Sequence, residues 1–447
     1  MADQFQKAEI SGSAHSVAIL STGDEVVEGR TVDTNASYIA DRVAQLGYDV
    51  VCKVVVGDFP DRLEWAWKTA LAQADVVIST GGLGPTADDL TNETLARVAG
   101  VELVLDEAEL AKIRGFFASV GRPMPENNVR QAMMPAGYEV VPNKLGTAPG
   151  YRLVIPSGNR RPVGIVLPGV PREMRAMVEE SVLPWLAARL GPDRTVVSRT
   201  FQTFGMGESA IDEAVAGLVP PEEARLAFRA AFPQVAVRVS AHGTREDAER
   251  RVKLYGDKIA ARLGAVIYAE GNTTMEARVG ELLREHGKTL ATAESCTGGL
   301  LGNRLTNVPG SSTYYIGGVV AYSNKLKEQL LGVSRTTLSM FGAVSEETAC
   351  EMAIGARRVT GADIAVATTG IAGPDGGTPD KPVGTVAVAL AADGYGEDGA
   401  QSKIYQLWGN REWVKVLTSQ VALDWVRRKL LGLNPLESGF GQKKGKR

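Results

Sequence analysis

Histidine and cysteine are scarce in this chain. Among 447 residues there are three His (His15, His242, His286) and three Cys (Cys52, Cys296, Cys350). No two of them fall at the short spacings of zinc sites, which argues against a Cys/His zinc cluster. Three scattered cysteines build no disulfide framework and fit a reducing cytoplasm. No histidine sits in a convincing context for a Ser-His-Asp triad, so a hydrolase built on this chain takes its base elsewhere. Long apolar runs are also missing. None reaches the ~18 residues of a membrane span, and residues 1–14 are polar, without a signal-peptide pattern. Charge of one sign is missing too. The 49 Lys and Arg against 52 Asp and Glu leave a net charge of −3, so no overall field favours nucleic acid or an anionic membrane.

Glycine is abundant, with 50 residues, above the ~7% of average usage. Ligand-approaching turns are the expected use. The length fits roughly three domains at about 150 residues each. Residues 15–180 alternate strand and helix signals: strands near 17–20, 48–56, 75–80 and 164–167, with helices between them. That order predicts a parallel, doubly wound α/β sheet, whose ligands sit beyond the strand C-terminal ends. Residues 194–269 read as a small β-α-β-α module without a phosphate loop, suited to packing, spacing or dimerisation. Residues 272–433 are α/β again, with a long loop at 370–384 and a closing helix at 411–430. Residues 434–447 read as a basic, disordered tail.

Several turns carry the chemistry. The first is Gly23-Asp24-Glu25, followed by Asp33-Thr34-Asn35 at a helix start, where capping is one use of the latter group. The second is Thr80-Gly81-Gly82-Leu83-Gly84-Pro85-Thr86-Ala87-Asp88-Asp89. Its glycines let backbone N–H groups approach a ligand, and the next helix N-terminus favours phosphate. Asp88 and Asp89 either cap that helix or hold a divalent cation. The third is Leu167-Pro168-Gly169-Val170-Pro171-Arg172-Glu173-Met174. The fourth is Glu294-Ser295-Cys296-Thr297-Gly298-Gly299, between a strand and a helix. Here Ser295 or Cys296 is a candidate nucleophile, with capping and simple burial as the rival uses. A serine needs a base, and lysine is the next choice because burial lowers its pKa. Lys325 and Lys327 follow Tyr322-Ser323-Asn324 and point in different directions on a helix, so one of them enters a site. Residues 310–312 offer amides for an oxyanion or phosphate. Thr369-Gly370-Ile371-Ala372-Gly373-Pro374-Asp375-Gly376-Gly377 forms a further wall, and Arg411 is a candidate anion ligand.

Taken together, these motifs resemble the CinA family (competence/damage-inducible protein A) over residues 15–433. The resemblance implies a MoaB/MoeA-like N-terminal domain at 15–180 with ADP-ribose pyrophosphatase activity and a divalent metal. It implies a KH-like module at 194–269. It implies a nicotinamide-nucleotide amidohydrolase domain at 272–433, converting nicotinamide mononucleotide (NMN) and water to nicotinate mononucleotide and ammonia without a cofactor. It further implies Ser295 as nucleophile, Lys327 as base, Tyr322 as its assistant, Gly310 and Ser312 as the oxyanion turn, and Thr369 and Arg411 on the substrate. In the N-terminal domain, Gly81, Gly82, Gly84, Thr86 and Asn35 are expected on the substrate. Asp24, Glu25, Asp88 and Asp89 are the candidate metal ligands. A homodimer is expected, with no membrane or nucleic-acid partner. The alternatives are a molybdopterin or nucleotide sensor without N-terminal catalysis, and a competence-related adaptor.

Overall fold

The computed structural model describes residues 16–190, 195–395 and 399–439. The expectations for 1–14 and for the last eight residues lie outside these. Two compact units form: one runs up to Val197 and includes His242–Glu249, and the other holds Ser198–Ala241 and everything from Arg250 onward. Residues 198–241 and 250–269 of the middle module fall in the same unit as residues 272–433, and 242–249 in the other.

In the first unit, six strands lie in the order Asp49–Val56, Ser16–Thr22, Val76–Thr80, Val163–Leu167, Gly150–Val154, Glu139–Val141. The first four run parallel and the last two antiparallel. Successive side chains of a strand point to opposite faces. Val17 and Ile19 therefore join one core with Ile39, Val43 and Met174. Ala18 and Leu20 join another with Leu63, Trp67 and Leu71. Two buried faces explain why these strands read as unbroken apolar runs rather than alternating ones. The antiparallel pair was not expected from the sequence. The parallel strands end together at Thr22, Thr80 and Leu167, so the three glycine-bearing turns meet at one edge.

In the second unit, the middle module is a four-stranded sheet, not the two-stranded unit expected. Its order is Arg225–Ala231, Gln234–Gly243, Thr195–Thr203, Ile267–Glu270. The strand Arg225–Ala231 went unread because its exposed positions carry Arg and Ala, which blur the alternation. The remaining sheet has the order Tyr315–Val320, Leu290–Glu294, Ile364–Gly370, Thr385–Ala392, Ala400–Gln406. Its first three strands are parallel and the others antiparallel. One face is lined by small residues, Ala291, Ala293, Ala365, Ala367, Ala387 and Ala389, against Ala349, Ala353 and Ala356 of helix Glu346–Thr360. Small side chains let that helix lie close. A Cβ on its Gly355 would stand 1.9 Å from Leu331 O. The other face packs Leu290, Val366, Val388 and Leu390 against Leu417, Val421 and Trp425 of helix Arg411–Leu430.

Residues 434–439 of the expected disordered tail are ordered. Pro435–Glu437 form a 3-10 turn, Lys403 Nζ donates to Leu436 O, and Tyr405 Oη donates to Ser438 O at 3.2 Å. No helix among the described residues is long and apolar enough to cross a membrane.

Candidate functional site

The C-terminal site forms where strand Leu290–Glu294 ends. A cavity of about 270 Å³ there is lined by Ser295, Lys327, Thr369, Asp375 and Arg411, among others. Ser295 lies in the turn that follows the strand, tied back by its amide donating to Thr368 O at 2.9 Å. The turn is held by Glu294, which is 1% exposed. Its carboxylate accepts from the amides of Gly299, Leu301 and Gly302 at 2.8–3.1 Å. These are otherwise unpaired N–H groups at the start of helix Leu300–Thr306, where negative charge is favoured. The sequence showed Glu294 beside the serine but not this anchoring role.

Lys327 sits on helix Asn324–Leu331, whose N-cap is Ser323. Its side chain is 1% exposed. The Nζ donates to Ser295 Oγ at 3.1 Å and to the carbonyls of Ala321 and Tyr322 at 3.0 and 3.3 Å. Burial holds its pKa below the ordinary lysine value, because desolvation penalises the ammonium. Lys325, the other lysine, is not among the cavity residues. Burial pushes the Cys296 thiol up to about 12, so it stays protonated and weakly nucleophilic near neutral pH.

Three expected roles change. The Tyr322 hydroxyl accepts from Arg411 Nη2 at 2.9 Å, and the residue is 60% exposed. It therefore supports Arg411 rather than the lysine, which it reaches through its backbone carbonyl. Gly310 and Ser312 do not join the cavity. They precede strand Tyr315–Val320, whose start pairs with Leu290 and whose end pairs with Glu294. Four residues of rise, about 13 Å, separate that level from Ser295, so this turn cannot hold an oxyanion in its own chain. Thr369 lines the cavity, but its hydroxyl donates to Ala343 O at 2.6 Å. Arg411 also donates to Gly373 O at 2.7 Å, tying the 370–376 wall to the strand end at Tyr322. Asp375 and Asn324 line the cavity and were not singled out as site residues.

The N-terminal site is a wider cavity of about 430 Å³, lined by Gly23, Glu25, Asp58, Gly81, Gly82, Gly84, Asp88, Asp89 and Glu173, among others. Gly82 has φ +67°, and a Cβ there would meet Thr91 Oγ1 at 2.2 Å. Only glycine suits that position. Asn35 is 8% exposed. Its Nδ2 donates to Thr80 Oγ1 and Gly169 O at 3.1 and 2.8 Å, tying two turns together rather than facing ligand. Asp33 caps helix Thr34–Leu46 through the Ala36 amide. Asp89 turns back on Thr86, accepting from its amide and hydroxyl at 2.9 and 2.5 Å. Neither Asp88 nor Asp89 caps helix Thr91–Ala99, which starts after Leu90 without a side-chain cap. Asp24 lies outside the cavity lining and accepts from the Asp58 amide at 3.2 Å. Among the described residues, no three His, Cys, Asp or Glu converge as a metal site. Asp58, not expected from sequence, has its carboxyl pKa raised by burial and by the nearby Asp24, Glu25 and Asp88 charges. Glu25, Asp58 and Asp88 are hard-oxygen donors that line the cavity without converging, so their chemistry suits a divalent cation only where a ligand's own oxygens supply the rest of its shell.

Three family models cover the described fold. They are the "Probable molybdopterin binding domain" at 18–188, the "Damage-inducible protein CinA KH domain" at 198–269 and the "CinA C-terminal domain" at 272–430. A CinA-like protein of Geotalea uraniireducens (strain Rf4) is 43% identical over 426 residues, covering 94% of this chain and 99% of its own. The chain belongs to the CinA family. A putative competence-damage inducible protein of Symbiobacterium thermophilum is 46% identical over 419 residues, covering 92% of this chain and 97% of its own. A CinA structure from Thermoplasma acidophilum is 36% identical, with TM-score 0.35, and covers 38% of this chain and 98% of its own. The tungsten cofactor synthesizing protein MoaB of Pyrococcus furiosus is 18% identical, with TM-score 0.28, covering 40% and 98%. CinA membership with a MoaB-like N-terminal domain supports a nucleotide-related role.

Proposed function

We propose that the chain hydrolyses pyridine nucleotides at two sites. The C-terminal pocket is read as an NMN amidohydrolase. The observation that carries this reading is the 3.1 Å contact from a buried Lys327 Nζ to Ser295 Oγ. A lysine with a depressed pKa is a usable general base near neutral pH. Neutral Lys327 takes the Ser295 proton while Oγ attacks the carboxamide carbon. The tetrahedral oxyanion collapses, the C–N bond breaks, and ammonia leaves with the proton from Lys327. Water then attacks the acyl ester, giving a proton to Lys327; Lys327 passes it to Ser295 Oγ as the ester C–O bond breaks, and the acid product releases its remaining proton to solvent as the carboxylate. The amides of Cys296, Ala372 and Gly373 replace the 310–312 turn as oxyanion donors in this reading, since their residues line the same cavity, whereas the Ile371 amide already donates to Thr385 O. No organic cofactor enters the scheme. The pocket's charges match a zwitterionic substrate. Arg411 suits the phosphate, and Asp375, the one carboxylate in the lining, suits the cationic pyridine ring.

The N-terminal cavity is read as an ADP-ribose pyrophosphatase giving AMP and ribose 5-phosphate. Glu25, Asp58 and Asp88 would hold a divalent cation, which neutralises diphosphate charge when bound. The Gly81, Gly82 and Gly84 backbone would cradle the diphosphate beside the helix at Thr91. The dispersed carboxylates favour a second reading for this cavity, a nucleotide sensor that binds without cleaving. Incubation of the full chain with NMN and with ADP-ribose, following ammonia and AMP with and without chelator, tests both readings. No ammonia from NMN would sink the first. Tight ADP-ribose binding without AMP would leave the sensor.

A further inference from the structure

The hairpin of the middle module, strands Arg225–Ala231 and Gln234–Gly243, turns at Phe232 and Pro233, beyond the last ladder pair Ala231 and Gln234. There the Phe232 ring stacks on Trp413, with centroids 4.1 Å apart and planes 25° apart. Both residues remain substantially open, at 42% and 43% exposed. Phe232 thus serves no core of its own module. Its partner lies two residues from Arg411, in the first turn of helix Arg411–Leu430.

That turn differs from the rest of its helix. Residues 417–428 are buried throughout, whereas Arg411, Glu412 and Trp413 are exposed. An exposed first turn with unpaired N–H groups frays unless it is held. The Asn410 side chain holds it by accepting from the Trp413 amide at 2.9 Å. The ring stack holds it from the side. Gly409 precedes the cap with φ +98°, and a Cβ there would stand 2.8 Å from Trp413 Cβ. The tryptophan is therefore packed down on the entering chain. Arg411 spans from this turn to Gly373 O and Tyr322 Oη, on two different walls of the pocket.

We propose that Phe232 is a positioning residue of the C-terminal pocket: stacked on Trp413, it clamps the helix turn that carries Arg411 and sets the guanidinium for the substrate phosphate. The middle module is then a working part of the pocket as well as a spacer. This rests on the reading of Arg411 as the phosphate ligand of an NMN amidohydrolase. The clamp acts on binding, not on the Ser295–Lys327 chemistry, so its signature is a split between KM and kcat.

The test compares full-length wild type, Phe232→Ala and Phe232→Tyr, with ammonia release measured from NMN and from nicotinamide riboside, which lacks the phosphate. Phe232→Ala should raise KM for NMN roughly three- to tenfold, the scale of a lost aromatic pair. Its kcat should stay within about twofold, its riboside kcat/KM should not move, and Phe232→Tyr should restore the NMN value. An unchanged KM for NMN, or equal losses on both substrates, overturns the clamp. Hydrogen exchange across 409–416 gives a readout that needs no substrate. Exchange should be faster in Phe232→Ala and near wild type in Phe232→Tyr, and unchanged exchange also overturns the clamp. If wild type releases no ammonia from NMN, the amidohydrolase reading fails, and exchange alone then decides the clamp.

Discussion

The two candidate sites are built in opposite ways. In the C-terminal pocket, the groups that would react are already in contact. Lys327 and Ser295 share a hydrogen bond, and the base is buried and fixed by two carbonyls. In the N-terminal cavity the charged groups are spread over several loops, and some face away from it. Asp24 turns to the Asp58 amide, Asp89 turns to Thr86, and no three carboxylates converge. Proton transfer needs a short, fixed path before substrate arrives. A phosphate and metal site can be completed by the ligand itself. In the proposed reading the first arrangement is preorganised for proton transfer, and the second would need a cation and a ligand to complete it.

The comparison breaks most sharply under removal of the dyad. Ser295→Ala and Lys327→Ala should each lower ammonia release from NMN by at least about 10³-fold, with AMP release from ADP-ribose unchanged. Cys296→Ala should keep most of its deamidation, because its buried thiol stays protonated. A dead Cys296→Ala beside an active Ser295→Ala would reverse the nucleophile. The pH profile follows from the base. Lys327 acts when neutral, and burial lowers its pKa. Below that pKa kcat should fall about tenfold per pH unit, and above it kcat should level off. A rate that does not fall as the pH is lowered would remove Lys327 as base.

Glu294 tests the support of the dyad. Glu294→Ala strands three amides at a half-buried helix start. Stability should fall by about 2–3 kcal/mol, read as a lower midpoint in urea, with kcat falling because the serine turn loosens. Glu294→Gln should recover part of the stability, since its amide oxygen still accepts. An unchanged midpoint in both variants would mean that water replaces the carboxylate.

The difference between the sites also governs what the sequence could disclose. The strand–turn–helix order placed Ser295 and Lys327 at one sheet edge, because short local runs fix parallel strands and their ends. Helix Arg411–Leu430 was legible to the residue at both ends. Side-chain partners across loops were not legible. Tyr322 lies next to the lysine helix, yet its hydroxyl turns to Arg411, 89 residues away. The 310–312 turn has oxyanion-like composition, but the helix Leu300–Thr306 carries the chain to the wrong end of the sheet. Asp58 had no local motif to mark it, because its surroundings come from burial and from charges on two other stretches of chain, Asp24-Glu25 and Asp88. The strand Arg225–Ala231 has its alternation blurred by exposed Ala and Arg, so the hairpin that brings Phe232 to Trp413 was invisible as well.

Smaller effects sharpen the comparison on the binding side of the C-terminal pocket. Asp375→Asn should raise KM for NMN about threefold to tenfold, the scale of one charge contact near a surface. The same change should matter less for the reduced form of NMN, whose ring is uncharged, so discrimination between the two narrows. It should also strengthen inhibition by nicotinate mononucleotide, because a carboxylate product no longer meets Asp375. Equal effects on both redox forms would detach Asp375 from the ring charge.

The smallest expected effect lies in the N-terminal cavity and is read without catalysis. Burial, and then the nearby Asp24, Glu25 and Asp88 charges, raise the Asp58 pKa, so a divalent cation bound there would relieve repulsion only in the folded state. A ligand that binds the folded state alone raises the melting temperature by mass action. Millimolar Mg²⁺ or Mn²⁺ should therefore raise wild-type Tm by about 1–3 °C, the scale of a few tenfold excesses over Kd. Asp58→Asn should cut that shift by at least half, while Ser295→Ala should leave it intact. Adding ADP-ribose with the metal should enlarge the shift in wild type, because diphosphate oxygens complete a shell that no three protein carboxylates close. A cation shift equal in wild type and Asp58→Asn would place the metal elsewhere, and the contrast between a preorganised site and a ligand-completed one would lose its second half.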